Sequence, residues 1–340
     1  MTDRVLLTGI SGFLGGHVAV ELLRAGFRVR GSVRSAAKAD KVRAALAAAG
    51  ADLSRIELVT LDLKSDDGWP AAMADTRYVV HTASPFVLGQ PRDRMDLIRP
   101  AVDGTDRAVR AALATEVERV VLTSSTVAVA YGHPPGRAAV YTDKDWTDLS
   151  GKGVTAYFES KTRAERRAWE LMDAAGRRQD LAVINPGGIL GPLLDDDPGT
   201  SAMIVLLLLN GRMPAMPRAP MALIDVRDVA AAHVAALAAP EAGGRRYLMV
   251  ERLTTLADLA EVLRQAFPER ARSIPRRQIP DWLLRGIGIF NADMRNLAEE
   301  AGNPRRYDSA PVAALLKRDL IPVPVSAVET ARSLIGTSAV

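Results

Sequence analysis

The chain contains no cysteine. That removes disulfides, zinc thiolate centres, iron–sulfur clusters and thiol nucleophiles together. Histidine is almost as scarce: His17, His81, His133 and His233 are the only ones, and no two are close enough in sequence to suggest a metal centre. Long apolar runs are missing too. The longest, Ala202 to Leu209, falls far short of the about 20 residues that a helical membrane span requires. The opening residues Met1-Thr2-Asp3-Arg4 carry an acid and lead into a strand pattern, not a signal-peptide pattern. The expectation is a soluble, cytoplasmic protein with no membrane partner. Charge of one sign is also lacking: 44 Lys+Arg against 40 Asp+Glu leave +4, and the arginines are scattered. Scattered basic residues do not favour nucleic acid as a partner.

What is present suits an ordinary globular chain. Its 340 residues, 48% of them hydrophobic and 25% charged, can bury one large α/β unit with a smaller lobe. The first half alternates short apolar runs with alanine-rich helical stretches. Strands are expected at Val5–Leu7, Phe27–Val33, Ile56–Leu61, Tyr78–His81, Val120–Thr123 and Leu181–Asn185, and helices at Leu14–Ala25, Lys38–Ala49 and Thr105–Ala114. Strands buried on both faces read as continuous apolar runs, so this alternation predicts a doubly wound parallel (Rossmann) sheet. Beyond Gly191 the pattern loosens into loops and helical pieces broken by proline, with a helix at Val226–Ala239 and a strand at Arg245–Val250. The expected division is a dinucleotide-binding domain over 1–190, to which 221–250 return, and a mostly helical substrate lobe from 191–220 and 251–340.

Thr8-Gly9-Ile10-Ser11-Gly12-Phe13-Leu14-Gly15 joins the first strand to the first helix. Glycines there permit a tight turn and a close approach of backbone to a pyrophosphate, whose charge the helix N-terminus attracts. The spacing is G-x-x-G-x-x-G rather than G-x-G-x-x-G, and a purely structural strand–helix turn reads the same way. An acid at the end of the second strand would grip the 2′-hydroxyl of NAD. This chain has Ser32-Val33-Arg34-Ser35 there, with Lys38 and Lys41 following. Arg34 and Lys41 suit a 2′-phosphate, or are simply solvated charges at a helix start; the preferred cofactor is NADP(H).

Tyr157 and Lys161 are four residues apart, which on a helix sets both on one face. An ammonium there would lower the phenol pKa and make Tyr157 a proton donor near neutral pH. The spacing alone is a weak signal. Ser125, just past the strand Val120–Leu122, would complete the set, because ligands bind at the carboxyl ends of strands in such sheets. Thr123-Ser124-Ser125 also reads as a plain polar loop.

Together these residues resemble the extended short-chain dehydrogenase/reductases, in particular the branch of dihydroflavonol reductase-like and bacterial aldehyde reductases. The resemblance covers nearly the whole chain and is looser after about residue 250. It rests on Thr8–Gly15, Val33-Arg34, Asp62-Leu63, His81-Thr82-Ala83-Ser84-Pro85, Thr123-Ser124-Ser125, Tyr157–Lys161, Pro186–Pro192 and Ile224–Ala230. It implies Ser125, Tyr157 and Lys161 as the catalytic triad. Gly9, Ser11, Gly12, Phe13 and Leu14 would hold the pyrophosphate, and Arg34 with Lys41 the 2′-phosphate. Asp62 and Leu63 would border the adenine. Thr82, Ala83, Ser84 and Thr123 would line the middle of the cofactor. Pro186, Gly187, Gly188 and Ile189 would cup the nicotinamide, and Ser201 would reach back from the far loop.

Two departures stand out. Ala101 occupies the place of an asparagine that supports a proton relay in many family members, and Ala130 the place of an asparagine that holds flavonoid hydroxyls in the plant enzymes. The implied activity is NADPH-dependent reduction of an apolar aldehyde or ketone. Phe86, Val127, Ala130, Tyr131, Leu190, Met203, Leu207 and the segment Met213 to Met221 are the candidate substrate-pocket residues, although ordinary core packing would use the same residue types. The remaining readings are an isomerase or lyase on this scaffold, such as a sugar-nucleotide epimerase or dehydratase, and a non-catalytic NADP-sensing module. Apart from a small carbonyl or alcohol substrate, no partner is expected beyond self-association, as monomer or homodimer.

Overall fold

The computed structural model describes residues 3–84, 91–134, 140–196, 199–213, 215–289, 301 and 304–336. Seven parallel strands form the main sheet: β1 (Arg4–Thr8), β2 (Arg28–Val33), β3 (Ile56–Thr60), β4 (Tyr78–His81), β5 (Arg119–Thr123), β6 (Leu181–Pro186) and β9 (Arg246–Met249). Their spatial order is β3-β2-β1-β4-β5-β6-β9. The central strands β1, β4, β5 and β6 are apolar along most of their length because both faces are covered. Val5 and Leu7 point into one core and Leu6 into the other, and the same alternation separates Ala182 and Ile184 from Leu181 and Val183. One face carries α1 (Phe13–Arg24), α2 (Ala36–Ala48) and α7 (Val226–Ala238); the other carries α3 (Trp69–Met73), α4 (Met95–Leu113) and α5 (Ala156–Ala174).

The chain winds outward from β1 to β3, then returns to start β4 on the other side of β1. A crevice opens where strand order reverses, at the carboxyl ends of β1 and β4. The Rossmann-like sheet therefore places Thr8, His81, Thr123 and Pro186 along one edge.

Two expectations need correction. The helix expected at Thr105–Ala114 is α4, which begins at Met95 and carries Pro100 inside it. An internal proline costs a helix about 3 kcal/mol; packing of Leu97, Ile98 and Ala101 into the interior offsets it. The segment from residue 221 does not return to the main sheet at once. β8 (Met221–Asp225) pairs with β7 (Gly188–Leu190) in parallel and with β10 (Arg252–Thr254) antiparallel, forming a separate three-stranded sheet. Return begins with α7. Strands of three and five residues carry too little periodicity to announce such a pairing.

A third core lies under this small sheet, where α6 (Gly199–Leu209), α8 (Leu256–Ala266) and the helix Val323–Gly336 bring together Val205, Leu208, Leu259, Leu263 and Ala327. Asp225 joins it to the main sheet. This buried carboxylate caps α7 by accepting from Arg227 N at 2.8 Å, pairs with the Arg227 side chain, and accepts from Ser326 Oγ at 2.6 Å. Thr330 Oγ1 adds a second joint, accepting from Gly191 N at 2.8 Å.

Candidate active site

The turn after β1 is built by close backbone approach. Gly9 has φ +77°, and a Cβ there would lie 2.7 Å from Ala83 N; a Cβ at Gly15 would lie 2.0 Å from Gly9 O. Only glycine fits either position. Gly12 is the N-cap of α1 and brings no side-chain cap, nor is there an acid in the first turn. No side chain of α1 itself therefore competes for its first backbone N–H groups, which suits an anionic pyrophosphate. Thr82 Oγ1 donates to Thr8 O at 2.7 Å and Ala83 N to Thr8 Oγ1 at 3.3 Å, which ties the β4 loop to the β1 turn.

At the end of β2, Arg34 is exposed and Ser35 caps α2 by accepting from Lys38 N at 3.4 Å. Lys41 is already engaged. It pairs with Asp195, at 3.4 Å, and with Asp196 on the loop after β7; the hydrogen bond to Asp196 raises its pKa. A groove beside it is lined by Ser11, Gly12, Phe13, Lys38, Lys41, Leu194 and Asp195, whose carboxylate is the one paired with Lys41. Asp62 is exposed and accepts from Lys64 N at 2.9 Å, while Leu63 lies against Gly104.

A larger cavity of about 470 Å³ runs along the sheet edge. Phe13, Leu14, Thr82, Ser84, Thr123, Ser125, Tyr157, Lys161, Pro186, Gly187, Gly188, Ile189 and Ser201 all line it. Residues separated by nearly two hundred positions in sequence thus share one wall. Thr123 Oγ1 is spoken for: His233 Nδ1 donates to Val229 O at 2.7 Å, so its Nε2 accepts from Thr123 at 2.7 Å. Ser201 Oγ accepts from Ile189 N at 3.2 Å. Ser125 Oγ donates to Pro186 O at 3.2 Å and also hydrogen-bonds Tyr157.

The electrostatics differ from expectation at Tyr157. Burial pushes its phenol above the ordinary value, and the opposing influence is the Ser125 hydrogen bond rather than the Lys161 charge. Lys161 is itself lowered to about 8 by burial, with Glu165 holding it up. A raised phenol stays protonated at neutral pH, the form that donates a proton.

Glu165, one turn beyond Lys161, was not singled out from the sequence. It is fully buried and accepts from Ser124 Oγ at 2.5 Å and Asn185 Nδ2 at 2.8 Å, and it pairs with Arg246. Asn185 also donates to Ser125 O at 3.2 Å. The carboxylate thus anchors the strand ends on either side of Ser125. Its signal in the sequence was an acid at i+4 on the same face as Lys161. Behind Lys161 a recess of about 10 Å³ is lined by His81, Thr105, Ser124 and Glu165, room for about one water. His81 Nε2 has no hydrogen-bond partner among the described residues, and burial lowers that imidazole to about 3, so it is neutral.

The expected substrate pocket is only partly matched. Val127 and Tyr131 line the cavity. Ala130 is 1% exposed in a small core with Val129, Tyr141 and Leu248, and Leu190 is 1% exposed in the small-sheet core. On α6 the cavity is lined by Ser201 and Ile204, three residues apart, and not by Met203 or Leu207. Phe86 lies outside the described residues. Pro220 and Met221, from the expected segment Met213 to Met221, also line it. Leu253, Arg305 and Tyr307 line it too, and their separation in sequence from the motifs hid them.

Comparison with known proteins places this geometry among nucleotide-dependent enzymes. A family model described as the NAD dependent epimerase/dehydratase family matches residues 5–249. A protein of Schizosaccharomyces pombe described as an uncharacterized oxidoreductase is 36% identical over 283 residues, covering 78% of this chain and 83% of its own length. The ketoreductase azaE of Aspergillus niger is 33% identical over 316 residues, covering 87% and 92%. The crystal structure of yeast methylglyoxal/isovaleraldehyde reductase Gre2 complexed with NADPH superposes with a TM-score of 0.80, at 25% identity over 99% of each chain.

Proposed function

The chain belongs to the NAD dependent epimerase/dehydratase family, and from that premise we propose that it is an NADPH-dependent carbonyl reductase with Tyr157 as the proton donor. The observation that carries this reading is the shared wall: Ser125, Tyr157 and Lys161 line one cavity with the turn that opens α1, and Ser125 is hydrogen-bonded to Tyr157.

The residues present fit the cofactor. Uncapped N–H groups at the start of α1, with Gly9 and Gly12, suit its pyrophosphate together with Ser11, Phe13 and Leu14. Arg34 suits the 2′-phosphate, and Lys41 would join it only by giving up its pairs with Asp195 and Asp196. Asp62 and Leu63 would border the adenine, Thr82, Ala83, Ser84 and Thr123 the centre, and Pro186 to Ile189 with Ser201 the nicotinamide. When bound, NADPH supplies the hydride. Lys161 would hold the nicotinamide ribose. Ser125 and Tyr157 would hydrogen-bond the substrate oxygen and orient the carbonyl, and Tyr157 would pass its proton to that oxygen as the alcohol forms. With Ala101 in place of a relay asparagine, the water-sized recess beside Lys161, His81 and Glu165 would hold a water that resupplies the proton.

The relatives named above favour reduction over isomerisation, since one is a ketoreductase and another an aldehyde reductase crystallised with NADPH. The apolar wall of Val127, Tyr131, Ile204, Met221 and Leu253 suits the body of an aldehyde or ketone. Tyr157→Phe tests the assignment. Steady-state reduction should fall about 10²–10⁴-fold, while the Kd for NADPH, read by nucleotide fluorescence, stays within a few-fold. Turnover retained near the native rate would remove Tyr157 from its role.

A further inference from the structure

The loop after β7 crosses the start of α1 and ends beside α2. Its stem is fixed by three hydrogen bonds. Gly191 N donates to Thr330 Oγ1 at 2.8 Å, His17 Nε2 to Pro192 O at 2.9 Å, and Leu193 N to Ser333 Oγ at 3.0 Å. Leu194 then lies over Gly16 of α1, where a Cβ would come within 3.2 Å of its Cδ1. Beyond it, Asp195 and Asp196 reach Lys41 of α2. The loop thus brings two carboxylates to one of the cations suited to a 2′-phosphate. They belong to the same groove as the turn suited to the pyrophosphate, since Ser11, Gly12 and Phe13 line it together with Lys38, Lys41 and Asp195.

The charges in this corner offset one another. The hydrogen bond from Lys41, with the Lys38 charge nearby, holds the Asp196 carboxyl below the usual carboxylate range, so it is an anion at neutral pH. Lys38 and Lys41 face Asp195 and Asp196, and the four together carry no net charge. A phosphate is therefore drawn weakly to Lys41 while both acids stay. They are not locked in place: the Asp196 side chain is 74% exposed and that of Lys41 38%. An exposed pair of this kind is weak and breaks readily. NADPH, whose 2′-phosphate needs the ammonium, has to break it. NADH, with a 2′-hydroxyl in that place, does not.

We propose that Asp196 sets the margin by which NADPH is preferred over NADH, as an internal counter-anion that the 2′-phosphate must displace from Lys41. The proposal rests on the placement of the cofactor given above and not on the reaction catalysed.

A double-mutant cycle tests it. Kd for NADPH and for NADH is measured by nucleotide fluorescence in the native protein, Asp196→Asn, Lys41→Met and the double variant. Asp196→Asn should raise the ratio Kd(NADH)/Kd(NADPH) about two- to fivefold, the range that exposed ion pairs give, by tightening NADPH alone. Lys41→Met should lower that ratio, and in its background Asp196→Asn should produce a smaller gain, because there is no ammonium left to compete for. A ratio that Asp196→Asn leaves unmoved overturns the proposal. So does a gain as large in the Lys41→Met background, which would show plain repulsion between acid and phosphate. If Lys41→Met itself leaves the ratio unchanged, the placement of the 2′-phosphate has failed, and the proposal falls with it. None of these measurements needs turnover, so failure of the reductase reading would be seen separately and would not alter the outcome.

Discussion

Lys161 shows how burial and function meet in one side chain. An ammonium packed into the wall beside α5 is disfavoured by desolvation, and the carboxylate of Glu165 one turn away limits the fall, leaving the group at about 8. It is therefore charged at neutral pH and loses its proton as the pH rises through that value. For the proposed reaction, kcat/KM for NADPH, which reports the free protein, should be level below pH 7 and fall above pH 8. A profile level up to pH 10 would contradict it. The same group affects stability with the opposite sense. Between about 8 and its ordinary 10.5 the unfolded chain keeps the proton that the folded chain has released, so this contribution makes the cofactor-free protein more stable as the pH rises.

At the scale of elements, the β1–α1 junction has little tolerance. A Cβ at Gly15 would meet Gly9 O at 2.0 Å and Gly9 C at 2.7 Å, both backbone atoms of the turn beneath it. A Cβ at the next residue, Gly16, would meet Leu194 Cδ1 at 3.2 Å, the end of a side chain that can shift, and Ile10 O at an ordinary contact distance of 3.9 Å. Gly15→Ala should cost about 1–3 kcal/mol or more and weaken NADPH binding, whereas Gly16→Ala should cost less than about 1 kcal/mol. Urea denaturation of the two variants, with a nucleotide titration of each, separates a packing limit from general intolerance of the helix. Histidine also works at this scale. His17 Nε2 bonds Pro192 O at 2.9 Å, and so ties the roof after β7 to α1.

For the whole molecule, buried hydrogen bonds tie the small sheet, the C-terminal helix and α7 together beside the crevice. The locks are polar and buried: Asp225 with Arg227 and Ser326, and Thr330 with Gly191. Asp228 adds a third, accepting from Ile321 N at 2.7 Å. Buried polar groups stripped of one partner cost about 1–3 kcal/mol. Thr330→Val, similar in shape but without the hydroxyl, should therefore lower stability by that amount in a thermal melt, by orphaning Gly191 N and O. A melt unchanged from the native protein would show that the joint is not held there.

The parallel sheet, its glycine turn and the spacing of Tyr157 and Lys161 were legible in the sequence because each is local. Burial on both faces writes continuous apolar runs, a helix start on a tight turn demands glycine at Gly9 and Gly15, and a helix puts i and i+4 on one face. What the residues alone could not disclose depends on long-range meeting. β7, β8 and β10 are too short to carry a pattern, so the small sheet was unseen. Leu190 and Ile204 are equally apolar, and only the packing of α6 against the small sheet sends one to the core and leaves the other at the cavity. Glu165 and Arg305 look like any surface charge until the fold buries the first between two strand ends and carries the second, from the far end of the chain, to the mouth of the site. Sequence determined which local structures form; the tertiary structure decided which side chains share a cavity, because that depends on contacts between residues more than a hundred positions apart, as with Arg305 and Ala130.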